Sequence, residues 1–400
     1  MNGNKSIVSI VCGAAFLLFT FCWLYFFQGD MLAVAQHGLS GGKTHYDLTI
    51  GAVIITSVLF VLQLAAAMLT RLARHHWLTY VPSFLLLSFV SSVSSPFSWG
   101  AWPWAGPLVL VLWVVAVVVV RKLYSAASGW LSAGVWRDLW QNLLPMAAMM
   151  LFVAGMSDTN AVRHFRAHAE LSLMRGDADE VLRTGDRSLE TDESLTMLRL
   201  FALSRQGVLG DSLFTYAVTG TSLDMLPLAG SQGRLMLMPD TLLWDHFGVR
   251  PDTIVLRSDS ALRVQWAADT LRPAYAGVSP FASRFTVRQY LDSLEHDSMA
   301  TTAVRDYRLA GHLIDRRLDS FAVALPRYYP LSADSLPRHY REALVLYQQR
   351  FDTLFIYKDS LMLECWKAFE AYDSLYAKKS ERLIRMENQQ KRTYWYYYYK

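Results

Sequence analysis

An imidazole and a carboxylate lie close together in the tripeptide His45-Tyr46-Asp47, in the polar segment before the second apolar stretch. A histidine near an aspartate is suited to general acid–base catalysis around neutral pH. In a membrane protein, such a pair would fit an enzyme that acts on an envelope glycan or a lipid-linked substrate. The same residues also fit an ordinary polar loop, so a catalytic role for His45 and Asp47 is an alternative hypothesis.

Two further histidines, His164 and His168, are four residues apart and would share one face of a helix, a spacing that can ligate a metal ion. No glutamate lies between them to act as a base, and Arg163 and Arg166 would repel a cation. We interpret this segment as a solvated helix face, and the sequence predicts no metal and no cofactor. It also contains no phosphate-binding loop, dinucleotide fingerprint or serine-hydrolase motif.

The segments that would position these groups change near residue 156, where apolar stretches give way to a sequence with many charged residues. Before that point, five apolar stretches approach the roughly 20 residues that a membrane-spanning helix requires. The predicted spans are 7–27, 49–70, 77–93, 102–120 and 140–156. The third is the weakest because it contains Pro82 and several serines. None of the five contains Asp, Glu, Lys or Arg, which argues against transport by this chain alone.

The basic residues between the spans predict the orientation of the chain. Six of the seven lysines and arginines in residues 1–156 would lie on one side of the membrane, with Lys43 alone on the other. The positive-inside rule then places the N-terminus in the cytoplasm. With five spans, the C-terminal part is extracytoplasmic. We therefore predict a multi-pass protein of the inner (cytoplasmic) membrane with a periplasmic C-terminal domain.

Residues 157–400 have the composition of a water-soluble domain. They contain 31 basic and 31 acidic residues, because the whole sequence has 38 and 34 and the first 156 residues contain 7 and 3. A charge-balanced domain without a basic stripe argues against nucleic-acid binding. The expected partners are therefore the lipid bilayer and a protein of the cell envelope.

Helical hairpins are predicted from residue 160 onwards. Apolar residues between 162 and 173 recur with a period near 3.6, which indicates one face of an amphipathic helix. Gly176 and Gly207 each close one predicted helix and open the next, and they are 31 residues apart. This spacing is close to the tetratricopeptide period of about 34 residues. The pattern predicts a helical-repeat domain of the kind that binds proteins or peptides.

Two segments depart from this pattern. Residues 217–282 are rich in glycine and proline and predict an irregular insertion, within which two alternating runs in 252–267 predict a small β-hairpin. Residues 394–399 are six consecutive aromatics. They fit a tail that packs across the last helices, a contact with the membrane interface, or a strand added to a partner's sheet.

Several distinctive segments also carry a resemblance to known proteins. They are the junction after the last span and the runs SRQGVLGDSLF (204–214), LPRHYREALVLY (336–347) and TYWYYYY (393–399). In these segments the chain resembles an uncharacterised family of Bacteroidota multi-spanning membrane proteins with a C-terminal tetratricopeptide-like helical domain. The resemblance covers about residues 140–400. It implies that architecture and supplies no catalytic residues, because the family has no assigned activity.

The sequence thus predicts a mainly α protein with two parts. About five transmembrane helices in 1–156 precede a soluble helical-hairpin domain in 157–400. The predicted function is to present an extracytoplasmic helical-repeat domain for protein or peptide binding, as a scaffold or assembly factor. The alternative is a membrane enzyme of envelope glycans or lipid-linked substrates.

Overall fold

The computed structural model describes residues 2–92, 104–126, 135–251, 285–296, 301–331, 335–351, 357–375 and 390–400. It divides into two compact units, Met1–Asn160 and Ala161–Lys400. Throughout the described ranges the regular secondary structure is helical, with no β-strand, which confirms the predicted mainly α fold class. The β-hairpin predicted at 252–267 lies outside the described residues.

The first unit is built from long apolar helices and two shorter ones. Its α-helices are α1 Asn2–Cys22, α2 Gly29–Ser40, α3 Leu48–Thr70, α4 Val81–Ser91, α5 Ala105–Ala126 and α6 Val135–Met156. A π-helical turn, Trp23–Phe27, extends α1. The helix α2 lies between the first two spans, in a segment for which the sequence predicts only a polar loop.

Four helical segments are long and apolar enough to cross a membrane. They are Ser6–Phe27, Leu48–Thr70, Gly106–Leu123 and Val135–Met156. A helix of 22 residues rises about 33 Å at 1.5 Å per residue, which matches a hydrocarbon core of about 30 Å. These segments correspond to four of the five predicted spans and identify the chain as a membrane protein.

The segment predicted as the third span is shorter in the structure. It consists of a 3₁₀ turn, Trp77–Thr79, followed by the 11-residue helix α4. That helix rises only about 17 Å, roughly half of the hydrocarbon core. Pro82 lies in the first turn of α4. A proline there fits a helix start but cannot continue a helix from the preceding residues, because it lacks an N–H group.

Polar groups around α4 are satisfied inside the first unit. The helix packs against α3 and α6. The Ser83 hydroxyl donates to the Leu59 carbonyl oxygen at 2.8 Å, and the Trp113 indole N–H donates to the Leu78 carbonyl oxygen at 2.8 Å. In a hydrocarbon environment, such bonds replace those that water cannot supply.

The second unit consists of shorter, amphipathic helices. They are α7 Ala161–Met174, α8 Ala178–Arg183, α9 Glu193–Gln206, α10 Leu209–Ser212, α11 Thr241–Phe247, α12 Val287–His296, α13 Thr302–Ile314, α14 Leu318–Ala324, α15 Arg338–Arg350, α16 Ser360–Leu375 and α17 Tyr394–Tyr399. Aspartates begin three of them, namely α8, α9 and α16. Asp177 accepts a hydrogen bond from the Glu180 N–H at 3.0 Å, and Asp192 accepts one from the Leu195 N–H at 2.7 Å. Each side chain satisfies a backbone donor that has no partner within the helix.

Glycines end three helices in this unit, and Gly248 after α11 is one of them. Gly176 follows α7 with φ of 82°, and Gly207 caps α9 with φ of 71°. This left-handed conformation is costly for residues with a Cβ atom, which is why glycine is common at helix C-termini. The helix ends at Gly176 and Gly207 were predicted from the sequence.

The core of the second unit is centred on α9, in which nearly every side chain is buried. This helix packs with α7 and α8 on one side and contacts α13 on another. Farther along the chain, α13 packs on α14, α14 on α15 and α15 on α16. Many of the helices pack in chain order, but α10 packs on α15, and segment 217–240 crosses between the two groups.

The aromatic tail packs into this core. The Trp395 indole N–H donates to the Glu342 carbonyl oxygen at 2.7 Å, and the Tyr394 N–H donates to the Glu342 carboxylate at 2.6 Å. The Trp395 ring lies 5.3 Å from that of Trp366 and 5.7 Å from that of Phe369. Of the three interpretations of the tail, the structure supports packing across the last helices.

Candidate functional site

One residue of the proposed catalytic pair in the first unit, Asp47, stabilises the start of a helix. Asp47 is the N-cap of α3, where its carboxylate accepts a hydrogen bond from the Ile50 N–H at 2.8 Å. His45 is exposed. A capping carboxylate stabilises the start of the helix, whatever else it does. The assignment of His45 and Asp47 to catalysis stays a hypothesis.

His168, one of the two histidines of α7, contacts the neighbouring helix. His168 Nε2 lies 3.4 Å from a carboxylate oxygen of Glu180, and both side chains are about one-third exposed. Within the described ranges, no group of three or more His, Cys, Asp or Glu side chains is arranged to hold a metal ion. His168 and Glu180 thus form a partly solvated contact between α7 and α8.

A cleft of about 310 Å³ opens beside α8 in the second unit. We call it the α8 cleft. It is lined by Asp179, Leu182, Arg183, Asp186, Thr215, Tyr216 and Arg392. These residues come from α8 and the turn after it, from the segment that follows α10, and from a 3₁₀ turn, Gln390–Arg392, near the C-terminus. Three parts of the chain that are far apart in sequence thus meet at one surface.

Arg199 holds two walls of the α8 cleft in place. Its guanidinium is buried, with only 2% of the residue exposed. It donates to the carbonyl oxygens of Thr184 and Gly185, both at 3.1 Å, and to that of Ala217 at 3.5 Å. It also lies 5.4 Å from the centre of the Tyr216 ring. Burial lowers the pKa of Arg199, but a guanidinium keeps its charge in proteins.

The lining of the α8 cleft combines charges of both signs with an uncharged phenol. Asp179 and Asp186 supply carboxylates, while Arg183 and Arg392 supply guanidinium groups. Burial raises the pKa of Tyr216, so its hydroxyl remains able to donate and accept near neutral pH. This arrangement provides hydrogen-bond donors and acceptors side by side, which matches the chemistry of a polypeptide segment.

A serine and a histidine form a second notable pair. The Ser204 hydroxyl lies 2.8 Å from His246 Nε2, and the edge of the imidazole faces Phe201. Burial and the nearby Arg205 lower the pKa of His246, which keeps the ring neutral. A nucleophile–base pair has this distance, but catalysis also needs a group that orients the base. Among the described side chains none bonds to the other ring nitrogen, so the pair is best described as a link between α9 and α11.

A buried glutamate organises the irregular segment that crosses the second unit. The Glu170 carboxylate is fully buried and accepts hydrogen bonds from the backbone N–H groups of Met236, Leu237 and Met238, at distances from 2.6 to 2.9 Å. Burial raises the pKa of Glu170, and these three bonds oppose that effect. The sequence carried a signal for this role, since Glu170 lies three residues from the buried Leu173 on the apolar side of α7.

Comparisons with known proteins give one match. Residues 256–400 match a protein family described as a family of unknown function, DUF6057. This part of the chain includes α12 to α17 and contributes Arg392 to the α8 cleft. No curated protein matches the chain, and no solved structure matches it.

We expect Arg199→Met to destabilise the second unit and to loosen the α8 cleft. The substitution keeps most of the side-chain volume but leaves buried carbonyl oxygens without donors, each at a cost of about 1–3 kcal/mol. The free energy of unfolding should fall by about 3 kcal/mol, and segments 184–187 and 215–218 should exchange amide hydrogens faster, as measured by mass spectrometry. Arg187→Met, at an exposed position, is the control. Equal stability and exchange in the two variants would contradict the role of Arg199.

Proposed function

We propose that this protein is a membrane-anchored binding protein whose C-terminal helical unit recognises a protein or peptide partner, as a scaffold or assembly factor. The α8 cleft is the observation that carries the proposal. It offers a polypeptide both carboxylates and guanidinium groups, together with the Tyr216 hydroxyl, on walls that Arg199 fixes. A preorganised surface loses less conformational entropy on binding than a mobile one.

The packing of the helices supports the same proposal. In-order packing of α7, α8 and α9, with Gly176 and Gly207 at equivalent helix ends, is consistent with a tetratricopeptide-like array at the start of the unit. Arrays of this kind present extended surfaces on which partners bind. In this interpretation, the α8 cleft lies at the second helix of the first hairpin, and paired charges at the cleft provide specificity through electrostatic complementarity.

We further propose that the helical unit is on the extracytoplasmic side of the inner membrane. The support is the distribution of lysine and arginine between the spans. It requires the segment around α4 to count as a crossing, although α4 itself has only 11 residues. Without that crossing, Arg121, Lys122 and Arg137 would lie on the side with few positive charges, which the positive-inside rule disfavours.

Binding at the α8 cleft predicts position-dependent crosslinking in native membranes. A photoreactive amino acid at Thr215, in the cleft, should give a discrete crosslinked species, whereas the same group at the exposed Val323 on α14 should not. Asp186→Arg should reduce the yield about tenfold, because reversing a charge within the interface costs on the order of 1.4 kcal/mol or more. Asp319→Arg on α14 is the matched control. The proposal fails if both labelled positions give the same species, or if Asp186→Arg leaves the yield unchanged.

Reporter fusions after Lys400 test the orientation. An export-dependent phosphatase should be active there, and a fluorescent protein that folds only in the cytoplasm should remain dark. This result is expected because five crossings from a cytoplasmic N-terminus end outside. Fluorescence without phosphatase activity would mean an even number of crossings and a cytoplasmic helical unit.

A further inference from the structure

A second, smaller pocket in the C-terminal unit is lined by three arginines. We call it the arginine pocket. Its volume is about 50 Å³, and it lies among α12, α13 and the 3₁₀ turn Ser222–Asp224. The residues that matter for its chemistry are Arg288, Tyr307, Arg308, His312 and Arg317. All five residues lie within 256–400, the part of the chain that matches DUF6057. None of the five lines the α8 cleft.

The arginine pocket contains polar atoms that lack partners. Tyr307 is fully buried, and its hydroxyl makes no hydrogen bond to any described residue. The Nδ1 atom of His312 is likewise buried and unpaired within the described ranges. Leaving a buried hydroxyl or ring nitrogen without a partner costs about 1–3 kcal/mol. A ligand that accepts hydrogen bonds in this pocket would recover that cost.

Two of the three guanidinium groups of the pocket are held by neighbouring carboxylates. Arg308 forms ion pairs with Asp292 at 2.7 Å and with Glu295, and Arg317 forms one with Asp315 at 2.5 Å. The carboxylate of Asp315 is itself anchored, since it accepts hydrogen bonds from the N–H and hydroxyl groups of Ser222 at 2.8 and 2.7 Å. The side chains of Arg308 and Arg317 are therefore held in position in the absence of a ligand.

The charges in and beside the pocket are balanced. Arg288, Arg308 and Arg317 line it together with Asp292, and the carboxylates of Glu295 and Asp315 pair with two of these arginines. Among the described side chains, no carboxylate pairs with Arg288. Burial and these three arginines lower the pKa of His312 to about 4, so the imidazole is neutral at pH 7. A neutral ring can donate one hydrogen bond, and the Tyr307 hydroxyl can donate another.

We propose that the arginine pocket binds a phosphate group, either as free phosphate or as a small monoester. Guanidinium groups match the geometry of phosphate oxygens, and several charge-assisted hydrogen bonds can form at once. The volume admits a single tetrahedral oxyanion, and a phosphate has more acceptor oxygens than a carboxylate with which to bind the Arg288 guanidinium, the Tyr307 hydroxyl and His312 together. Met225, Val287 and Leu291 add an apolar side for the ester carbon atoms.

The test is isothermal titration calorimetry of the full chain in non-ionic detergent, with inorganic phosphate, glycerol 3-phosphate and acetate as ligands. One of the two phosphates should bind at least about tenfold more tightly than acetate, since it can form additional charge-assisted bonds. Tighter binding of inorganic phosphate identifies the free ion as the ligand, and tighter binding of glycerol 3-phosphate identifies a monoester. Equal affinity for acetate, or no binding of either phosphate at millimolar concentration, would overturn the proposal.

Three variants distinguish a specific phosphate site from non-specific attraction of anions to surface arginines. Arg288→Gln should weaken phosphate binding about tenfold, whereas Arg305→Gln, at an exposed position on α13 outside the pocket, should leave it unchanged. Tyr307→Phe removes only the unpaired hydroxyl. It should also weaken binding about tenfold while the thermal midpoint of the unliganded protein stays the same or rises. Equal effects of the two arginine variants, or wild-type binding by Tyr307→Phe, would show that the pocket does not recognise phosphate.

Discussion

The structure depends on one constraint, which is that every backbone N–H and C=O group removed from water needs a partner. In the apolar helices of the first unit, the helical hydrogen bonds meet this requirement within each segment, as a bilayer demands. The second unit contains irregular backbone that cannot meet it in this way. There, buried charged side chains take over. Glu170 accepts from three successive N–H groups, and Arg199 donates to three carbonyl oxygens.

These buried charges also shape the surfaces to which we assign function. Arg199 joins the turn after α8 to the start of segment 217–240, and the α8 cleft lies between them. Glu342 binds the first residues of α17 and fixes the tail on α15. In the arginine pocket, the carboxylate of Asp315 links Ser222 to Arg317. Each of these charged side chains therefore holds part of a surface in position and also forms hydrogen bonds with buried polar groups.

Features that depend on neighbours in sequence could be predicted, whereas those that depend on tertiary contacts could not. Long apolar runs such as 49–70 specify membrane helices through length and composition, and Gly176 and Gly207 specify helix ends through their backbone conformation. The sequence marked 77–93 as the weakest span because of Pro82 and its serines, but the short length of α4 became visible only in the structure. The α8 cleft was missed because Asp179 and Arg392 meet only in the fold.

We expect residues 161–400 to fold as an independent helical unit, stabilised by their own core and buried charged side chains. Expression of this segment without the first unit is the decisive experiment. It should give a water-soluble protein with a helical circular dichroism spectrum, ordered aromatic signals and cooperative thermal unfolding. An aggregated product, or a helical one without ordered tertiary signals, would contradict independent folding, since the unit would then depend on the membrane part for its structure.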